Sequence, residues 1–100
     1  MSRSAHFAAL LAQQPANDLF RFSLAQALLA ENRAPEAEPH LRACAEHKAD
    51  WMMPRILLGK LLLQLGRPGE ARPILEDALR LAIAQEHEEP ESELRALLGS

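Results

Sequence analysis

The sequence has little of what several protein classes require. Its 100 residues include one cysteine, no tyrosine and 4% aromatic residues, and β-branched residues are almost absent. A single cysteine permits no internal disulfide and is typical of proteins from a reducing compartment. Scarce β-branched and aromatic residues argue against a β-sheet protein. Because alanine and leucine dominate instead, the composition predicts an all-α fold of a single domain.

The sequence lacks the excess of basic charge that is typical of nucleic-acid-binding proteins. The formal net charge is −3, and residues 86–93 hold five glutamates and neither lysine nor arginine. The remainder therefore carries eleven Lys and Arg residues against nine acidic ones. Nucleic-acid binding requires a clustered basic face, so we expect no nucleic-acid partner.

Long hydrophobic runs are also missing. No stretch is long and apolar enough to span a bilayer, and the apolar run within residues 1–14 is too brief and interrupted for a good signal sequence. We therefore expect no membrane partner and a cytoplasmic location.

What the sequence does contain is a helical pattern interrupted by a turn. Before the turn at residues 66–69, four leucines recur at three- and four-residue steps, namely Leu58, Leu61, Leu62 and Leu65. This spacing predicts an apolar stripe on one face of a helix. A second stripe follows the turn, formed by Ala71, Leu75, Ala78 and Leu79. Gly66 can adopt the left-handed backbone that ends helices, so the stretch predicts a helical hairpin.

The same pattern occurs 34 residues earlier. The matched pairs are Arg21 with Arg55, Leu24 with Leu58, Leu28 with Leu62, Arg33 with Arg67, Glu36 with Glu70, Ala37 with Ala71, and Leu41 with Leu75. A period of this length built from paired helices resembles the tetratricopeptide repeat family. The family's bulky, small and hinge positions correspond to Leu24, Ala25, Leu28, Asn32, Ala37, Leu41 and Cys44, and then to Leu58, Gly59, Leu62, Gly66, Ala71, Leu75 and Ala78, with Asn32 and Gly66 at the hinges.

The chain departs from the family pattern at Arg21 and Arg55, where a bulky apolar residue is usual. We expect their aliphatic stems to pack while each guanidinium reaches water. Cys44 takes the place of a small alanine, so we expect its thiol to be buried and inert.

The resemblance implies about two full repeats with capping helices in one domain spanning residues 1–100. We predict an N-terminal half-repeat at 3–15, repeats at 18–51 and 52–85, and a C-terminal capping helix at 88–98. The predicted helices span residues 3–13, 18–31, 35–47, 51–65, 69–85 and 90–98, with Asp18 at the start of the second as its N-cap. We expect Gly59, Ala71 and Ala78 where two helices approach closely.

Candidate chemistry is sparse. His40, Cys44 and His47 share one helix face and could be interpreted as metal ligands, but zinc requires a fourth ligand that the sequence does not supply. No nucleophile motif or phosphate-binding loop is present. We therefore expect no catalytic residue, no metal, no cofactor and no enzymatic activity.

The resemblance also implies a binding surface, because the first helix of each repeat lines a concave groove in this family. The inward positions correspond to Leu19, Phe22, Gln26, Leu29, Met53, Ile56, Lys60 and Leu63, with Trp51 at the junction. Family members that grip a C-terminal carboxylate use Lys and Asn where this chain has Phe22 and Ile56, so that mode is not expected. The resemblance implies a protein or peptide partner in an apolar groove. The alternative is a homodimer in which the same groove binds a second copy.

Overall fold

A computed structural model describes residues 2–99 of the chain. Within them it contains six α-helices and no β-strand, in agreement with the predicted all-α fold. The helices are α1 Arg3–Gln13, α2 Asp18–Ala30, α3 Ala34–His47, α4 Met52–Gln64, α5 Pro68–Ala84 and α6 Glu88–Gly99. They form two compact units, one ending at Lys48 and one starting at Ala49.

The N-terminal unit consists of α1 packed on α2 and of α2 packed on α3. Its core consists of apolar side chains spaced at helical intervals, including Leu11, Leu24, Leu28, Leu41 and Cys44. Each fully buried leucine contributes about 1.5–3 kcal/mol relative to an exposed one. The repeat positions Leu24, Leu28, Leu41 and Cys44 therefore form the core of this unit. In the second repeat the predicted stripe is correct for Leu58, Leu61 and Leu62 and wrong for Leu65, which is 38% exposed at the end of α4.

One predicted detail of this unit is wrong. Asn17, and not Asp18, is the N-cap of α2, because the Oδ1 atom of Asn17 accepts a hydrogen bond from Phe20 N at 3.0 Å. Asp18 is the first residue of the helix, where its negative charge still favours the helix dipole.

The C-terminal unit repeats the plan, with α4 packed on α5 and α5 packed on α6. Its core is made of leucines that expose 2% of their surface or less, namely Leu58, Leu61, Leu62, Leu75 and Leu94. The small residues Gly59, Ala71 and Ala78 are buried between helices, as the sequence predicts. Leu94 is the contribution of α6 to this core, so α6 covers apolar surface of α5.

Three turns end their helices in the same way. Asn32, Gly66 and Glu86 adopt positive φ angles of 61°, 73° and 57°. In each case the next residue donates its backbone N–H five residues back, as in the bond from Arg67 N to Leu62 O at 2.9 Å. This pattern is the Schellman motif, which satisfies the otherwise unpaired carbonyls of the last helical turn. The predicted stop at Gly66 is confirmed, and two residues other than glycine adopt the same backbone conformation.

The two arginines that replace bulky apolar residues are half-buried. Arg21 donates from Nη2 to the carbonyl of Pro15 at 3.1 Å, and Arg55 donates from Nη1 to the carbonyl of Trp51 at 2.9 Å. Each guanidinium thus satisfies a backbone carbonyl just before its own helix. The predicted packing of the stems is consistent with their half-buried state. The expected full exposure of the guanidinium is wrong for Arg21, whose Nε atom is buried without a hydrogen-bond partner among residues 2–99.

Candidate functional site

The predicted groove residues of α2 lie along one face of that helix in the N-terminal unit. Leu19 is 65% exposed, Gln26 is exposed, and Phe22 and Leu29 are half-buried. An isolated exposed leucine is ordinary, but Leu19 shares one side of α2 with the partly exposed Phe22, three residues on, and with Leu29 towards the end of the helix. These residues form an apolar strip on α2.

The predicted groove residues of the second repeat lie on α4 in the C-terminal unit. Met53 is 42% exposed, Leu63 is exposed, and Lys60 is half-buried. Ile56 is only 3% exposed, so it is a core residue. Trp51 is the half-buried N-cap residue of α4. Because the α2 and α4 sets belong to different units, the single groove proposed from the sequence stays a prediction.

Within the C-terminal unit a groove of about 230 Å³ lies between α4 and α6. One wall comes from α4 and consists of Met53, Ile56, Leu57 and Lys60, and the other comes from α6 and consists of Glu89, Pro90 and Glu93. We refer to it as the α4–α6 groove. Ile56 forms its buried floor, and the partly exposed side chains of Met53 and Leu57 stand above it.

Local structure explains why α6 lies beside this face of α4. The turn at Glu86 reverses the chain after α5, and Leu94 anchors α6 in the core with no exposed surface. Lys60 Nζ then donates to Glu93 Oε2 at 2.9 Å across the groove. Both side chains are more than two-fifths exposed, so this ion pair contributes at most about 1 kcal/mol. Packing of Leu94, rather than this ion pair, fixes the position of α6.

Sequence reasoning identified three of the groove residues and missed four. The resemblance to the tetratricopeptide repeat family implies Met53, Ile56 and Lys60 as groove residues, whereas Leu57, Glu89, Pro90 and Glu93 are not among the positions it implies. On α6, Glu93 lies four residues after Glu89 and three after Pro90, which places it beside both on one side of the helix. From the sequence alone, this stretch predicts only a capping helix.

The histidines and the cysteine of α3 do not converge on one point. His40 Nδ1 lies 3.2 Å from Arg21 Nη1, and His47 Nδ1 lies 2.8 Å from Asp18 Oδ1. The Sγ atom of Cys44 donates to the backbone carbonyl of Asp18 at 3.8 Å. Across residues 2–99, no group of three or more His, Cys, Asp or Glu side chains is arranged to hold a metal ion.

Burial governs the ionisation of two of these groups. It raises the pKa of the Cys44 thiol to about 11, and the nearby Asp18 carboxylate acts in the same direction. Burial and then the charge of Arg21 lower the pKa of His40. Cys44 is completely buried, so the predicted placement of an inert thiol in the core is supported by both observations.

A polar cluster attaches α1 to the rest of the N-terminal unit. Glu31 accepts hydrogen bonds from Ser4 N at 3.1 Å and from Ser4 Oγ at 2.6 Å. These bonds to Ser4, followed by the charge and hydrogen bond of Arg33, lower the pKa of Glu31. Arg33 also donates two hydrogen bonds to Glu36, at 2.7 and 2.8 Å. A carboxylate at the start of α1 satisfies a free backbone N–H there, so this cluster is structural.

None of the helices described for residues 2–99 has the length and apolar character that crossing a membrane would require.

The fold and the repeat are found in other proteins. A model of the tetratricopeptide repeat matches residues 19–43 and 52–77, about half of the chain. A crystal structure of a tetratricopeptide repeat domain protein from Salinibacter ruber is 24% identical, with a TM-score of 0.74 over 82% of this chain and 91% of that one. A protein from Bordetella parapertussis, known from its solution structure, is 28% identical, with a TM-score of 0.81 over 98% of this chain and 85% of that one.

Comparison with curated protein sequences gives no significant match. The repeat model nevertheless matches both predicted repeats, at the positions that form the helical hairpins α2–α3 and α4–α5. The chain therefore belongs to the tetratricopeptide repeat family.

Proposed function

We propose that the chain is a non-catalytic protein-binding module that holds a peptide segment or helix of another protein in the α4–α6 groove. Tetratricopeptide repeats are generally protein–protein interaction modules and are typically not catalytic, which supports this proposal. The apolar strip on α2 is a second surface of the same character.

The observation that carries the proposal is the exposed apolar wall of the groove. Met53 and Leu57 stand above the floor formed by Ile56, with Pro90 opposite. Covering apolar surface is favourable by about 25 cal/mol for each Å² removed from water. An amphipathic helix or an extended peptide can supply that cover with side chains at regular spacing.

The ionisable groups of the groove give no support to catalysis. Lys60 and Glu93 are paired with each other, and Glu89 is exposed. Nucleophilic catalysis would need a nucleophile within hydrogen-bond reach of a base, and the groove lining contains no serine, cysteine, threonine or histidine. We therefore assign the groove to binding alone.

A display library of random peptides, selected on the purified protein, tests this proposal. We expect the enriched peptides to bind Met53→Asn about tenfold more weakly or worse, since this change removes an apolar anchor. Ile83→Asn is the matched control, because Ile83 is 48% exposed on α5 and does not line the groove. Ile56→Glu would be a poor test, since a charge placed at this buried position would unfold the unit.

Circular dichroism should show equal helicity for both variants. Equal binding of the enriched peptides to Met53→Asn and Ile83→Asn would show that the groove is not the binding site. If sedimentation instead reveals a dimer that Met53→Asn converts to a monomer, the groove holds a second copy and the proposed foreign partner is wrong.

A further inference from the structure

The α4–α6 groove has an acidic side. Glu89 lines it. Glu88 is the first residue of α6, and Glu86 lies in the loop that precedes this helix. Throughout residues 2–99, no hydrogen bond or ion pair involves the side chains of these three glutamates. Glu93 differs, because it is paired with Lys60. The charges left without a counter-charge at this end of the groove are therefore all negative.

The helix dipole opposes this charge but does not cancel it. The N-terminus of α6 carries roughly half a positive elementary charge, which stabilises nearby carboxylates. Three carboxylates without partners exceed that amount severalfold. Lys60 contributes no surplus, because Glu93 at 2.9 Å balances it. The potential at the Glu89 side of the groove is therefore negative.

The size of the groove argues for a side chain as its occupant. Small-molecule pockets typically measure about 300–1,000 Å³ and enclose their ligand. A volume of about 230 Å³ between two helices lies below that range. It suits one large aliphatic side chain lying against Met53, Leu57 and Pro90, with the rest of the ligand lying across the rim.

We propose that the α4–α6 groove selects protein segments in which a lysine or arginine directly adjoins a large aliphatic residue. The aliphatic side chain enters above Ile56, and the neighbouring cation faces Glu89. This specificity rests on the proposed function, since it presupposes that the groove binds a peptide. Electrostatic complementarity of this kind contributes to selectivity and association rate more than to raw affinity.

Three fluorescent peptides of equal length test the specificity. The first has a central leucine between two lysines, the second has the same leucine between two glutamates, and the third has a serine between two lysines. Binding is followed by fluorescence anisotropy at low and at physiological salt. We expect the first peptide to bind about threefold more tightly than the second, or better, with a difference that shrinks as salt rises.

Charge-reversal variants show which glutamate is responsible for the preference for lysine-flanked peptides. Glu89→Lys should remove or invert the preference for the lysine-flanked peptide. Glu88→Lys is the matched control, because it changes the same charge one residue earlier in the first turn of α6, outside the groove lining. It should change the preference less than Glu89→Lys does.

Several results would overturn this inference, and they differ in what they say about the groove. If the wild type binds both leucine peptides equally and Met53→Asn binds neither, the charge preference is refuted and the proposed function stands. Equal binding of the leucine and serine peptides would show that no apolar side chain is inserted. If no peptide binds at millimolar concentration, the specificity is wrong, and the display selection decides separately whether the groove binds peptides. A dimer that dissociates in Met53→Asn would assign the groove to a second copy.

Discussion

Gly59 of α4 lies directly against the side chain of Leu75 on α5. A Cβ atom added to Gly59 would overlap Leu75 Cδ2 and lie 2.5 Å from Cγ, closer than non-bonded carbon atoms approach. Leu75 is 1% exposed, so it has little free space into which it could move. The glycine thus determines how closely the two helices of this hairpin can pack.

Gly59→Ala should destabilise the protein in spite of the better helix propensity of alanine. Overpacking costs about 1–3 kcal/mol, whereas the change from glycine to alanine in a helix gains about 1 kcal/mol. Gly69→Ala is the matched control, since a Cβ there meets nothing within 4 Å, and it should be neutral or stabilising. Urea unfolding of both variants measures the difference. A Gly59→Ala protein more stable than the wild type would contradict the close packing.

Glu86→Gly should stabilise the protein by roughly 0.5–1 kcal/mol, because a left-handed backbone is strained for glutamate and relaxed for glycine. Part of the gain is offset, because glycine makes the unfolded chain more flexible. The residue has a φ of 57° at the end of α5. Gly66→Ala provides the reverse test at the equivalent turn, where φ is 73°, and should lower the midpoint of thermal unfolding. A loss of stability in Glu86→Gly would argue against the shared turn motif.

Cys44 should resist thiol reagents in the folded protein, since its pKa is raised to about 11 and its side chain is fully buried. Labelling with a chromogenic disulfide at pH 8 should be slow under native conditions and fast in denaturant. Cys44→Ala should change the free energy of unfolding by no more than about 1 kcal/mol, while Leu58→Ala should cost about 2–5 kcal/mol. Rapid native labelling would place the thiol at the surface.

Glu31 should make stability dependent on pH in the acid range. Its pKa is lower in the folded than in the unfolded protein, because the charged form accepts hydrogen bonds from Ser4. The stabilisation is therefore present above the ordinary pKa of 4.5 and is lost as the pH falls below that value, through the lowered folded-state pKa.

Thermal unfolding of Glu31→Gln between neutral and acidic pH measures this effect. The variant should be less stable than the wild type at neutral pH, and the two should converge in acid. Glu88→Gln, in which the exposed carboxylate lacks a hydrogen bond among residues 2–99, is the control. A constant difference between wild type and Glu31→Gln at all pH values would show that the carboxylate charge is not involved.

Much of the helical plan follows from local sequence signals. The first helix was predicted with the observed ends, and the bounds of the next four differ by one residue at most. Leucines at three- and four-residue steps, and Gly66 at a turn, act within one helix or between neighbouring helices. Such signals do not depend on distant contacts. The exception is α6, for which the sequence predicts a capping segment from residue 88 but a helix only from Pro90. The helix begins at Glu88, because proline is tolerated within the first helical turn.

The α4–α6 groove was likewise determined partly by local sequence signals and partly by tertiary packing. The spacing of Met53, Ile56 and Lys60 places them on one side of α4, because residues three and four apart share a helix face. That this side faces a groove was implied only by the resemblance to the tetratricopeptide repeat family. Only the tertiary structure decided that Ile56 is the buried floor of a groove and that Glu89, Pro90 and Glu93 form its opposite wall. Those relationships depend on the packing of Leu94 against α5, which joins residues far apart in the sequence. Periodicity within one helix carries no information about which other helix will cover it.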